Sequence, residues 1–249
     1  MLSGQGSMRN FASAVSRLSS KSCRLIIVNG GGKEIDALCS RLSIDVKKEQ
    51  GLRVTTPDVL DVVQMTLARK SNELASALMA HGLRSLPVPA FALGAVRCRK
   101  KVLPNGRDLG YVGEVEDVDP TVLLSLVTAR SIPVIYPIGS DSEGNLYNIN
   151  ADELAADIAS SLRASSLLLL TDVPGVMINS TVVPCIHVSE LDDPILAGHL
   201  HDGIIPKLES AKRAARSGVG RVAIIDGRRS ENIENFFTEG KIVGTEIQN

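Results

Sequence analysis

The sequence predicts an α/β fold: a three-layer α/β/α sandwich around a mainly parallel central sheet. The first observation is a set of short apolar runs, Leu25-Ile26-Ile27-Val28 and residues 132–136, 166–171 and 222–225. Strands that are apolar at consecutive positions are buried on both faces, as parallel strands are. The second is that these runs alternate with segments of helical apolar spacing, the order that layers helices on a sheet. The third is size. A chain of 249 residues that is 44% hydrophobic can bury one large core or two lobes sharing a sheet.

In chain order, residues 1–23 hold no Asp or Glu but carry Arg9, Arg17, Lys21 and seven serines, a composition shared with mitochondrial transit segments. Phe11, Val15 and Leu18 fall at helical spacing, so the preferred reading is an amphipathic helix covering the first strand. That strand, ending at Val28-Asn29, breaks into Gly30-Gly31-Gly32 and continues as a helical pattern. Glycines can take positive φ and bring bare N–H groups against a ligand. The following helix adds its unpaired N–H groups and the positive end of its dipole. A phosphate or carboxylate is therefore expected there, whereas a tight turn alone would need one glycine. The run fits neither G-x-G-x-x-G nor G-x-x-x-x-G-K-[ST], so the dinucleotide and P-loop readings lose support.

Ile35, Leu38, Cys39 and Leu42 mark the apolar face of the helix after the glycines. Residues 51–56 read as extended, with Thr56 as N-cap and Pro57 at the first position of a long helix that buries Leu60, Val63, Leu67, Leu74 and Leu78. Residues 96–102 and 110–115 flank Pro104-Asn105-Gly106, a hairpin signal outside the parallel core. Asp119-Pro120 opens another helix, residues 132–137 form a buried strand, and residues 141–145 read as a second hairpin tip. Asn148-Ile149-Asn150-Ala151-Asp152 precedes an Ala-rich helix from Glu153 to about Leu162. The strand at 166–171 ends in Asp172-Val173-Pro174-Gly175-Val176, Pro206 is placed first in a helix after Gly203, and residues 222–225 are the last buried strand.

Composition narrows the function classes. A formal net charge of −1 without a long basic run lacks the footprint of a nucleic-acid binder. No apolar stretch reaches the length of a membrane-spanning helix. Cys23, Cys39, Cys98 and Cys185 show no C-x-x-C spacing and read as packing residues in a reducing compartment, which points to the cytoplasm. A transit segment would move the protein to a mitochondrion or plastid. His199 and His201, two residues apart, point to different sides of a helix, so no metal site is expected.

Six runs in order resemble the N-acetylglutamate kinases of the amino acid kinase family: Gly30-Gly31-Gly32, Gly51-Leu52-Arg53-Val54, Leu109-Gly110-Tyr111-Val112-Gly113-Glu114-Val115, Tyr147-Asn148-Ile149-Asn150-Ala151-Asp152, Leu170-Thr171-Asp172-Val173 and Gly203-Ile204-Ile205-Pro206-Lys207. The resemblance implies the amino acid kinase fold, with residues 1–164 as an acceptor-binding and dimerisation lobe and 165–249 as a nucleotide-binding lobe. It implies ATP-dependent phosphorylation of the side-chain carboxylate of N-acetyl-L-glutamate in arginine synthesis, Mg²⁺ carried by the ATP phosphates, and a homodimer or higher homo-oligomer. By the same resemblance Gly30 and Gly31 offer N–H groups where acceptor and γ-phosphate meet, Arg53 holds the acceptor's α-carboxylate, and Asn148 binds it through its amide. Lys207 neutralises the transferring phosphoryl group and Asp152 orients that lysine. Asp172, Val173, Gly175, Val176, Met177, Leu200 and His201 surround the nucleotide. A carboxylate acceptor is already ionised at neutral pH, so the chemistry requires no general base.

The chain also departs from the pattern. The family begins with a strand running into Lys-x-Gly-Gly, whereas here Met1-Leu2-Ser3-Gly4 stands in that place; Asn29 replaces the usual His; and residues 86–96 lack Gly-x-x-G-x-Asp-Gly. These departures lead to an expectation of reduced activity. The alternative is a catalytically impaired paralogue that binds a ligand and regulates a partner kinase. An upstream segment, if there is one, should read as an apolar run followed by Lys. The deciding structural question is whether any other lysine approaches the glycine turn.

Overall fold

The computed structural model describes residues 5–20, 23–128, 131–192, 204–238 and 243–249. They form α1 (Gln5–Ser20), β1 (Ile27–Val28), α2 (Gly32–Arg41), β2 (Lys48–Glu49), β3 (Leu52–Arg53) and α3 (Pro57–Met79). Then come β4 (Ser85–Pro89), β5 (Val96–Val102), β6 (Asp108–Val118), α4 (Pro120–Thr128), β7 (Ile132–Tyr136), β8 (Ile138–Ser140), β9 (Leu146–Ile149) and α5 (Ala151–Ser161). The last part holds β10 (Ser166–Thr171), β11 (Met177–Ile178), β12 (Thr181–Val182), β13 (Cys185–His187), α6 (Ile205–Arg216), β14 (Arg221–Asp226), α7 (Ser230–Thr238) and β15 (Thr245–Gln248).

The chain divides into two compact units, one of Arg24–Met79 with Leu83–Leu154, the other of Met1–Cys23, Ala80–Gly82 and Ala155–Asn249. In the first, β1, β7 and β4 form a parallel sheet in that order. Beside it, β5, β6, β9 and β8 close into a small barrel, with the Asn105-Gly106 turn joining β5 to β6 as the sequence predicts. The apolar faces of α2 and α3 meet in a core of Ile35, Cys39, Val59, Leu60, Val63 and Leu67. Thr56 caps α3, its hydroxyl accepting from Val59 N–H at 3.3 Å. Asp119 caps α4 in the same way, and Asn150 caps α5 by accepting from the N–H groups of Asp152 and Glu153 at 2.8 and 3.1 Å.

In the second unit, β10, β14, β15 and β13 form a four-stranded mixed sheet. It packs through Leu167, Leu169, Val222 and Ile224 against the apolar side of α6, whose Leu208, Ala211, Ala214 and Ala215 are buried. Phe11, Val15 and Leu18 are buried on α1, which groups with this unit and lies against α7.

Several expectations change. The first strand pairs only at Ile27 and Val28 and is half-buried rather than buried on both faces, because among the described residues of its sheet it is an edge strand with β7 on one side. Leu42 ends α2 half exposed. The Ala-rich helix starts at Ala151, set by the Asn150 cap, and Pro206 is the second residue of α6, not the first. The strand β10 alternates between buried and half-buried positions, as an edge strand does. Leu200 and His201, with His199 and Gly203, lie outside the described residues.

Candidate active site

The glycine turn sits where two helices begin. α2 starts at Gly32 with Gly31 as its N-cap, and α5 starts at Ala151, whose Cβ would stand 3.2 Å from a Cβ placed on Gly30. Two helix N-termini, each with the positive end of its dipole, therefore converge on one stretch of backbone, an arrangement that suits an anion. The glycines do not adopt the positive φ expected of them. They are needed for close approach: a Cβ at Gly31 would lie 3.1 Å from Leu67 Cδ2 and 3.3 Å from Lys70 Cδ. Behind the turn Asn29 is buried, its amide donating to Ser71 Oγ at 3.1 Å and its N–H to Ile135 O at 2.8 Å.

Arg53 reaches this turn from β3. Its side chain is 9% exposed, and its guanidinium is paired with Asp36 on α2 and donates to the carbonyl of Gly32 at 3.1 Å. Burial opposes ionisation of Asp36, but hydrogen bonds from Arg53 and Lys48 outweigh it and hold the carboxyl below its usual range. β3 is itself positioned by the barrel. Thr55 N–H donates to Leu109 O at 2.9 Å and Tyr111 N–H donates to Thr55 O at 2.7 Å. Between those bonds Gly110 has φ +70°, and a Cβ there would lie 2.3 Å from Thr55 O, so only glycine fits. Asn148 on β9 donates to Thr55 Oγ1 at 3.3 Å, and Thr55 Oγ1 donates to Arg53 O at 2.9 Å. Gly30, Gly31, Arg53, Asn148 and Asp152 thus all belong to one unit, with Asp152 half-buried in the first turn of α5.

Lys207 belongs to the other unit, half-buried in the first turn of α6, where its charge opposes the helix dipole. Asp172 is exposed just past the end of β10, beside the end of β14, where buried Asp226 binds Arg228 through Nε and Nη2 at 2.9 and 2.7 Å. The ends of parallel strands are where α/β sheets bind ligands. Val173 packs on the sheet core, Gly175 is buried, and Met177 is half-buried in β11. Val176 has a structural role: its side chain is buried, its N–H donates to Thr245 Oγ1 at 2.8 Å and its carbonyl accepts from Val183 at 2.9 Å.

Sequence reasoning missed one residue at the turn. Lys70, on α3, runs its stem past Gly31 and pairs its ammonium with Glu34 in the first turn of α2. A lysine other than one in the first strand therefore does approach the glycines. The signal was available, because Lys70 interrupts an apolar stripe of Leu60, Val63, Leu67, Leu74 and Leu78.

The profile of the amino acid kinase family matches residues 1–226. Among relatives, the chain is 38% identical over 230 residues to the acetylglutamate kinase of Carboxydothermus hydrogenoformans, covering 87% of this chain and 78% of that one. It is 36% identical over 242 residues to the acetylglutamate kinase of Chlorobium chlorochromatii, covering 96% and 83%. Among solved structures, it superimposes on N-acetylglutamate synthase from Neisseria gonorrhoeae, complexed with coenzyme A and N-acetyl-glutamate, with a TM-score of 0.88 at 25% identity. That match covers 100% of this chain and spans 57% of the synthase. On the profile match and on the identity shared with both kinases over most of their length, the chain belongs to the amino acid kinase family.

Proposed function

We propose that this protein is an acetylglutamate kinase, transferring the γ-phosphoryl group of ATP to the side-chain carboxylate of N-acetyl-L-glutamate in arginine biosynthesis. The observation that carries the reading is the glycine turn, where two helix N-termini converge and Arg53 stands in contact with Gly32, in a chain whose relatives are acetylglutamate kinases. An acceptor with two carboxylates needs one held and the other presented. Arg53 would hold the α-carboxylate, since a guanidinium has more N–H groups than its bonds to Asp36 and Gly32 use. Asn148, tied to the same strand through Thr55, would bind the acceptor by its amide.

A side-chain carboxylate oxygen then attacks the γ-phosphorus in line as the bond to the bridging oxygen of ADP breaks. Charge spreads over the equatorial oxygens and is met by donors already in place. The N–H groups of Gly30 and Gly31 would be such donors. Lys207 would neutralise the phosphoryl group, with Asp152 orienting it. The nucleotide would lie over Asp172, Val173, Gly175 and Met177, with Val176 supporting that loop from the core and Leu200 and His201 completing the set. Mg²⁺ would come with the ATP phosphates, for it suits hard oxygen ligands and keeps several waters. Of the residues named for the nucleotide, Asp172 supplies an anionic oxygen.

In this proposal residues 1–164 serve the acceptor and 165–249 the nucleotide. The protein works in the cytoplasm as a homodimer or higher homo-oligomer. Supporting this are four cysteines that are all free and the exposed apolar side chains of Met65 and Met79 on α3. No described helix is long and apolar enough to cross a membrane.

A coupled assay of ADP release tests the reading. Turnover should require N-acetyl-L-glutamate, ATP and Mg²⁺ together. An aminoadipate analogue, one methylene longer, should lose about 10- to 200-fold in kcat/KM. Absence of turnover with retained binding of N-acetyl-L-glutamate would overturn the kinase reading in favour of a regulatory paralogue.

A further inference from the structure

Bringing a carboxylate against a triphosphate concentrates negative charge at the glycine turn, and neutral donors cancel only part of it. A buried cation already stands there. The Lys70 side chain is 7% exposed, its stem lies against Gly31, and its ammonium donates to Glu34 in the first turn of α2. One turn earlier on α3, Thr66 faces the same glycine, its Cγ2 3.8 Å from the Cβ position. The Thr66 hydroxyl is buried and has no hydrogen-bond partner among the described residues. Stability does not explain this arrangement. A stripe facing the core normally carries Leu at the position between Leu67 and Leu74, and a well-packed apolar residue is often at least as stabilising as a buried ion pair.

We propose that Lys70 is a positioning residue for phosphoryl transfer: with its stem against Gly31 and its ammonium paired with Glu34, it fixes the glycine turn where the acceptor meets the transferring group. Glu34 holds the ammonium at the turn, and burial keeps water from screening it. The inference rests on the kinase reading above.

Three variants test it: Lys70→Met, which keeps most of the stem and removes the charge; Lys70→Arg; and the double variant Glu34→Gln/Lys70→Met. Lys70→Met should lower kcat by about 10²-fold, with the KM for ATP and for N-acetyl-L-glutamate within about threefold of wild type. Lys70→Arg should recover most of the rate. Lys70→Met also leaves Glu34 without its partner, a lesion that the double variant removes. The double variant should therefore regain melting temperature while kcat stays low. A kcat that returns together with the melting temperature, or one that Lys70→Met leaves unchanged, overturns the proposal. If the wild-type protein does not phosphorylate N-acetyl-L-glutamate, the kinase reading fails by itself. Lys70 is then judged by calorimetric titration with inorganic phosphate. Binding at least about tenfold weaker in the double variant supports it, and equal affinity overturns it.

Discussion

Arg53 and Lys207 are assigned charges that matter at different moments, and this separates them experimentally. Arg53 would hold a carboxylate that is charged before and after transfer, so its loss should weaken binding. Arg53→Ala is expected to raise the KM for N-acetyl-L-glutamate by about 10- to 10²-fold and the KM for ATP much less. Arg53→Lys should not restore it, since an ammonium cannot both bridge Asp36 and Gly32 and grip a second carboxylate. Lys207→Ala should instead lower kcat by about 10²- to 10³-fold with both KM values little changed. Equal losses for both ligands in Arg53→Ala would make that residue structural. Steady-state kinetics at saturating co-substrate measures all three. At this scale the sequence exposed the residues whose neighbours are diagnostic: three glycines after a strand, and an arginine in Gly-Leu-Arg-Val. It concealed Asp36 as the partner of Arg53, because a carboxylate on an exposed helix face looks the same in sequence whether or not an arginine from β3 arrives beside it. Val176 shows the converse: a loop position that reads as ligand-facing has both backbone groups bound within the protein.

Among the elements, α1 gives the sharpest contrast between apolar and ionic attachment. Leu18 is fully buried, whereas the Arg17 pair with Glu234 on α7 lies at the surface. Leu18→Ala should cost about 2–5 kcal/mol of unfolding free energy, while Arg17→Ala should leave the denaturant midpoint within experimental error. Chemical denaturation decides this, and comparable losses would show that α1 is held by its charges. The elements legible in the sequence are those whose packing writes a long period: α3 with its cap and stripe, and the β5–β6 hairpin with its Asn-Gly turn. The β2–β3 and β11–β12 hairpins were not legible. Each strand has two residues, too few for a period, and their turns rest on positive φ at Gln50, Gly51, Asn179 and Ser180, which of these residue types only Gly51 and, more weakly, Asn179 advertise. The extent of β1 was also hidden. A run of apolar residues declares a strand, but its paired length depends on what lies beside it, and here β7 pairs with two residues.

For the whole molecule, acid response follows from its paired carboxyls. Hydrogen bonds from Arg228 hold Asp226 below its usual 3.8, with burial opposing them; burial likewise opposes the ionisation of Asp36 and Glu34, which their basic partners nonetheless hold low. Carboxyls depressed in the folded state contribute stability that is fully present above their unfolded values, and it is lost as pH falls through the folded ones. Stability should therefore be level near neutrality on this account and fall steeply below about pH 4. Asp226→Asn should flatten that acid limb, and thermal melts across the range check it; an unchanged limb would mean that the pair is not felt. The cysteines have a consequence for how long the protein keeps its chemistry. Burial raises the Cys39 and Cys185 thiols, and burial together with Asp141 and Glu116 pushes Cys98, inside the small barrel, up to about 12. Oxidants and alkylating agents attack the thiolate, which at neutral pH would be only about 10⁻⁵ of Cys98. Peroxide should therefore spare the barrel, and mass spectrometry of a mildly oxidised sample should find Cys98 intact beside methionines already converted to sulfoxides.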